Sequence, residues 1–211
     1  MGLVLLGRAS SINVRKVLWL GDELGLALEH QPWGEGALSL RSPEFLALNP
    51  QGLVPVLRDG EAVLTESNTI CRYLAAREHR ADLLPEAPLA RARVEQWMDW
   101  QATTLNSAWR HAFMARVRRH PDFQDPAAIA RSVAEWNACM AILDARLAHT
   151  GAHVCGDDFT LADIVLGLST QRWWMTPMRT DERPALPAIA AYTERLAARP
   201  GFMRFGRNGM P

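Results

Sequence analysis

The chain has 211 residues, with 23 basic and 23 acidic side chains and a formal net charge of zero, so no long-range field favours nucleic acid or an anionic membrane as a partner. At this length one large domain or two small ones can bury a core that needs no disulfide or metal staple. Cys71, Cys139 and Cys155 are odd in number and form no CxxC pair, which argues against a disulfide framework and for a reducing compartment, the cytoplasm.

Leu3-Val4-Leu5-Leu6 is apolar but ends at Gly7-Arg8 with no basic leader before it. That is too short to span a membrane and predicts a first strand. The helix that follows carries Val14, Val17, Leu18 and Leu24 on one face and stops at Gly25, a C-terminal glycine. Leu26 to His30 predicts a second strand, and Ser42-Pro43 opens a short helix. Val54 to Leu57 and Glu61 to Leu64 flank Arg58-Asp59-Gly60 as a hairpin. A helix from Ser67 to Glu78 closes this α/β unit, and Ala81 to Pro88, with Pro85 and Pro88, reads as a linker.

From about residue 88 onward helical periodicity dominates. Val94, Trp97, Met98, Leu105 and Ala108 form one apolar stripe, and Ile129, Val133, Trp136, Met140, Leu143 and Leu147 form another at steps of four and three. Thr160-Leu-Ala-Asp163 has the spacing of a capping box that starts a further helix. Arg116, Arg118 and Arg119 read as cations at a helix C-terminus, where the macrodipole favours them. Lys16 is the sole lysine. His149, His153 and Cys155 have a spacing that invites a metal assignment, but Gly151 and Gly156 put them in a loop, and no metal site is expected there. The expected organisation is an α/β domain over 1–80, a linker over 81–88 and an all-α domain over 89–211.

The most informative stretches are Asn49-Pro50-Gln51-Gly52-Leu53-Val54-Pro55-Val56-Leu57 and Thr65-Glu66-Ser67-Asn68-Thr69-Ile70. They place a proline at the opening of a strand, then a hairpin, then Glu-Ser at a helix start. In that order, after a βαβ unit and before an all-helical half, the chain resembles the glutathione transferases over its whole length, and most closely their cytosolic, bacterial serine-type members. The resemblance implies an α/β thioredoxin-like N-terminal domain plus an all-α helical-bundle C-terminal domain. It also implies glutathione as co-substrate, no metal, a homodimer, and attack of the glutathione sulfur on a small electrophile.

The residues at these positions suit a peptide-like thiol. Val54-Pro55 resembles the family's cis peptide bond, a conformation common only before proline. A turn of that kind presents the Val54 backbone so that an extended tripeptide adds to it as one more strand. By resemblance Ser67 offers its hydroxyl and N–H to the γ-glutamyl carboxylate, and Glu66 receives the adjacent ammonium. Ser11-Ile12-Asn13 matches the family's Ser-x-Asn. A free thiol has a pKa of about 8.5, so the anion must be stabilised. A Ser11 hydroxyl donating to sulfur at a helix N-terminus does so, with Asn13 holding the loop or the ligand. Ser10 is the local rival for that role, and simple helix capping is the structural alternative.

Related serine-type enzymes place a histidine at the position of Leu40 and a polar residue at that of Leu53, so here the glycine carboxylate falls to Arg41 and Gln51. Asp99 matches a position that reaches across a dimer interface toward the other copy's γ-glutamyl group. The electrophile cleft, by resemblance, draws Trp100, Trp109, Arg110 and Phe113 from the first helical segment, with Trp173-Trp174 closing it. Arg110, between Trp109 and Phe113, would suit an electrophile that carries a carboxylate. A glutathione-dependent reductase or peroxidase would share these motifs, as would a non-catalytic glutathione-binding module. Intact Ser11, Val54, Pro55, Glu66 and Ser67 favour an enzyme.

Overall fold

The computed structural model describes residues 2–209. Strand β1 (Leu3–Leu6) pairs in parallel with β2 (Leu28–Gln31), and helix α1 (Ile12–Leu24) makes the crossover that a parallel pair requires. On its other side β1 pairs antiparallel with β3 (Val56–Asp59), which turns back into β4 (Ala62–Leu64), giving a mixed sheet of order β2-β1-β3-β4. Helices α2 (Pro43–Leu48) and α3 (Ser67–Arg77) complete the thioredoxin-like unit.

Three edges differ from expectation, each for a local reason. Gly25 ends α1 at φ 65°, and the Leu26 N–H returns to the Gly21 carbonyl at 2.9 Å. Leu26 therefore finishes the helix cap, and β2 begins at Leu28. The Val54–Pro55 peptide is cis, and Pro55 has no N–H to give a ladder, so β3 begins at Val56. The hairpin turn is Gly60-Glu61, with Gly60 at φ 57° in its first position, because Asp59 still pairs with Ala62.

The helical half contains α4 (Pro88–Trp100), α5 (Asn106–Arg116), α6 (Pro126–Thr150), α7 (Leu161–Met175), α8 (Pro187–Leu196) and α9 (Pro200–Phe205). The stripe from Val94 to Ala108 is not one regular helix. A π turn over Gln101–Leu105 joins α4 to α5 and turns both Gln101 and Leu105 inward, fully buried.

Helix α7 is buried from Leu161 through Trp173 and packs against α1, α3, α4, α8 and α9. Its capping box forms as expected, with Asp163 accepting the Thr160 N–H at 2.8 Å. One apolar core runs through both halves: Trp19 of α1 is fully buried and meets Phe159 and Phe202 at ring separations of 5.8 and 5.3 Å. A smaller core of Leu6, Phe45 and Val56 lies under α2. Among the described residues no helix is long and apolar enough to cross a membrane.

Candidate active site

The loop from β1 to α1 ends at Ser11, which occupies the N-cap position of α1 at φ −83° and ψ 124°. Its backbone is fixed: the N–H donates to the Arg8 carbonyl at 3.0 Å and the carbonyl accepts the Arg15 backbone N–H at 3.0 Å. Its side chain makes no capping hydrogen bond, so the hydroxyl is not spent on the helix. Gly7 brings this loop close to the Val54 turn, since a Cβ there would stand 2.5 Å from Val14 and 2.9 Å from Val54. Ser11 and Asn13 line a cleft of about 320 Å³. Ser10, half-buried, is outside that lining.

A second, smaller cavity of about 60 Å³ adjoins through Asn13, which lines both. Its other walls include Val54, Pro55, Glu66 and Ser67, which the sequence had singled out, and the 57 % exposed Leu53. Buried Asn49 holds this turn, donating to the Leu53 carbonyl at 2.8 Å and accepting the Gln51 N–H at 3.2 Å. Glu66 precedes α3 at φ 63°, a conformation uncommon outside glycine that recurs at binding sites. Exposed Arg41 and Gln51 lie outside both linings, with the Arg41 guanidinium packed toward Gly52, where a Cβ would come within 2.9 Å.

Behind Ser67 stands a group that sequence reasoning counted but gave no role. Lys16, 1 % exposed, donates to Gln101 at 2.8 Å and Asn68 at 3.1 Å, with the Ser67 hydroxyl at 3.5 Å. Gln101 in turn donates to Asn106 at 2.9 Å, and the Trp109 indole donates to the same Asn106 oxygen at 3.0 Å. A buried polar chain thus links the small cavity to the cleft through the π turn. Burial pulls the Lys16 pKa down to about 7, against an opposing pull from Cys71, with Arg172 lowering it further and Glu66 raising it. The available signal was a lone lysine between the core positions Val14 and Val17.

Trp109, Arg110 and Phe113 also line the cleft, with the two rings edge-to-face at 5.2 Å. Trp100 and Trp173 are not brought there. Trp100 packs edge-on against Trp97 at 5.3 Å. Trp173 is fully buried, its indole donating to Asn137 at 2.9 Å. The residue of α7 that reaches the cleft is one position earlier: Arg172 lies over Trp109 and Phe113 at 4.6 and 4.2 Å. It is the one charged side chain between Asp163 and Arg179, an anomaly in an apolar run that the sequence reading passed over.

The basic cluster at the end of α5 divides. Arg116 pairs with Glu182 through two hydrogen bonds of 2.7 Å, holding that carboxyl at about 2. Arg118, whose backbone N–H closes the end of α5 on the Phe113 carbonyl at 3.2 Å, also lines the cleft. Asp99 is exposed, paired with Arg72 of its own chain, and outside both cavities. Among the described residues no group of three His, Cys, Asp or Glu is placed to hold a metal. His153 shares a 2.8 Å hydrogen bond with the Asp157 carbonyl, and the Cys155 thiol donates to the Arg93 backbone carbonyl at 3.4 Å.

Comparison with known proteins matches residues 5–81 to the N-terminal domain of glutathione S-transferases and residues 126–195 to their C-terminal domain. The chain is 40% identical over 205 residues to glutathione S-transferase GstB of Escherichia coli K12, covering 89% of this chain and 97% of that protein. It is 35% identical to glutathione S-transferase 3 of Zea mays, covering 96% and 92%. Among solved structures it matches a theta class glutathione S-transferase from Xanthomonas axonopodis pv. citri with glutathione bound, at a TM-score of 0.90 and 37% identity over 100% and 99% of the two chains.

Proposed function

The chain belongs to the glutathione S-transferase family, and from that premise we propose that it binds glutathione along the Val54 turn and uses the Ser11 hydroxyl to stabilise the thiolate for attack on a small electrophile. The observation that carries this reading is the position of Ser11: a hydroxyl at the N-terminus of α1, unused for capping, in a cleft that meets the small cavity at Asn13. Glutathione bound in a structural relative of 37% identity supports the ligand.

In this reading the γ-glutamyl carboxylate meets Ser67 at the start of α3, where free N–H groups and the helix dipole favour an anion, and Glu66 takes the ammonium. The cysteinyl backbone pairs with Val54 beside Pro55, which sets the sulfur toward Ser11 and Asn13. Arg41 and Gln51 hold the glycine carboxylate. The electrophile lies against Trp109, Arg110 and Phe113. The two functional halves are residues 1–80 and 89–211 joined by 81–88. We further propose a cytoplasmic homodimer, in which Asp99 on its exposed face serves the glutathione site of a second copy.

Ser11 stabilises an anion and need not lose its own proton. A hydrogen bond to a charged partner contributes about 1.5–3 kcal/mol, so Ser11→Ala should lower kcat by about tenfold to a hundredfold. Glutathione affinity, set mainly by the other contacts, should change far less. Steady-state kinetics with calorimetric binding checks this. A larger loss from Ser10→Ala than from Ser11→Ala would transfer the role to Ser10.

A further inference from the structure

The cleft lining contains four arginines, Arg8, Arg110, Arg118 and Arg172, and no acidic side chain. Several guanidinium groups elsewhere are paired, among them Arg72 with Asp99 and Glu95, Arg116 with Glu182 and Arg199 with Glu23. The four at the cleft form no such pair among the described residues. Arg172 is the extreme case. It is 4 % exposed, lies over Trp109 and Phe113, and its buried Nε has no hydrogen-bond partner among the described residues. Burial, with the like charges of Arg15 and Arg118, holds its pKa well below the ordinary value. An unpaired guanidinium in the interior costs several kcal/mol unless an anion meets it.

Resting on the reading that glutathione sulfur reacts in this cleft, we propose that the electrophile carries a carboxylate and that the Arg172 guanidinium anchors it. A guanidinium fork matches a planar carboxylate with two parallel hydrogen bonds. The rings of Trp109 and Phe113, edge-to-face with each other, both contact the guanidinium and hold it at the cleft wall, and Arg110 and Arg118 add positive charge around it. The reacting carbon then lies between the anchored carboxylate and the sulfur near Ser11. In a halogenated carboxylic acid the thiolate sulfur forms a bond to the carbon as the carbon–halogen bond breaks. The halide leaves with the electron pair, the carboxylate is unchanged, and the thiol proton has already gone to solvent.

The test compares iodoacetate with iodoacetamide, which share a leaving group and a shape and differ in charge. For each, kcat/KM with glutathione is divided by the uncatalysed rate constant, and the quotient for iodoacetate is divided by that for iodoacetamide. The parent chain should favour the anion. Arg172→Gln should reduce this ratio by about tenfold to a hundredfold, and Arg172→Lys should recover part of it. Propionate should compete with iodoacetate, and propionamide should not, a measurement that needs no variant. A parent ratio of one or less, a ratio unmoved by Arg172→Gln in a folded variant, or no competition by propionate overturns the proposal. Turnover of iodoacetamide alone overturns it while leaving the transferase reading intact. Turnover of neither, with glutathione bound, counts against the transferase reading itself.

Discussion

At the scale of single residues, Lys16 and the cysteines carry consequences that composition alone would not suggest. The Lys16 pKa falls from 10.5 to about 7 on folding, so between these values the unfolded chain holds a proton that the folded one has lost. Stability from this group therefore rises with pH across that window. Its cost is fully present below about pH 7 and absent above about 10.5. The stability difference between the parent and Lys16→Met, followed by denaturant titration, should shift in the parent's favour by up to about 1.4 kcal/mol per pH unit. Parallel curves would contradict the assignment. The thiols are withdrawn from chemistry by the same physics: burial pushes Cys71 to about 12 and half-buried Cys155 to about 11. Burial, helped by Glu135, raises the Cys139 thiol as well, so at neutral pH none of the three is a competent nucleophile toward an alkylating substrate, which keeps the iodoacetate comparison readable.

At the scale of elements, the helix ends were the most legible and the inner faces the least. The Gly25 stop and the Thr160–Asp163 box are written in short sequence patterns, and both form. Asp163 does more than cap α7, because its other oxygen accepts the Val154 N–H at 2.9 Å and the Tyr192 hydroxyl at 3.1 Å. Asp163→Ala would leave several buried donors unsatisfied at about 1–3 kcal/mol each. Thermal and urea unfolding should show a loss of about 3 kcal/mol or more, and a loss below 1 kcal/mol would mean that the network relaxes around water. The π turn was not legible, since the spacing from Met98 to Leu105 fits two helical turns equally well. It matters because it carries inward the Gln101 side chain that meets Lys16. On α7 the apolar run hid orientation altogether: with every side buried, periodicity could not tell Arg172 from Trp173.

At the scale of the whole molecule, the two halves share one core, and the site depends on that union. The βα order, the hairpin and the helical stripes are local patterns, so the architecture was readable from them. Lys16 and Arg172 acquire their meaning from partners far along the chain, Gln101 and Trp109, and no local pattern encodes that meeting. The halves touch closely at Gly201 of α9, where a Cβ would stand 2.3 Å from the Trp19 ring of α1. Gly201→Ala should therefore cost about 1–3 kcal/mol by overpacking, seen as a lower thermal midpoint; an unchanged midpoint would show that Trp19 yields freely. The thiolate is the central claim. Its most direct test is the ultraviolet thiolate absorbance of bound glutathione against pH, in the parent and in Ser11→Ala. The account predicts a bound thiol titrating below its free value of about 8.5, returned toward that value by Ser11→Ala. A bound thiol whose pKa ignores Ser11 would contradict it.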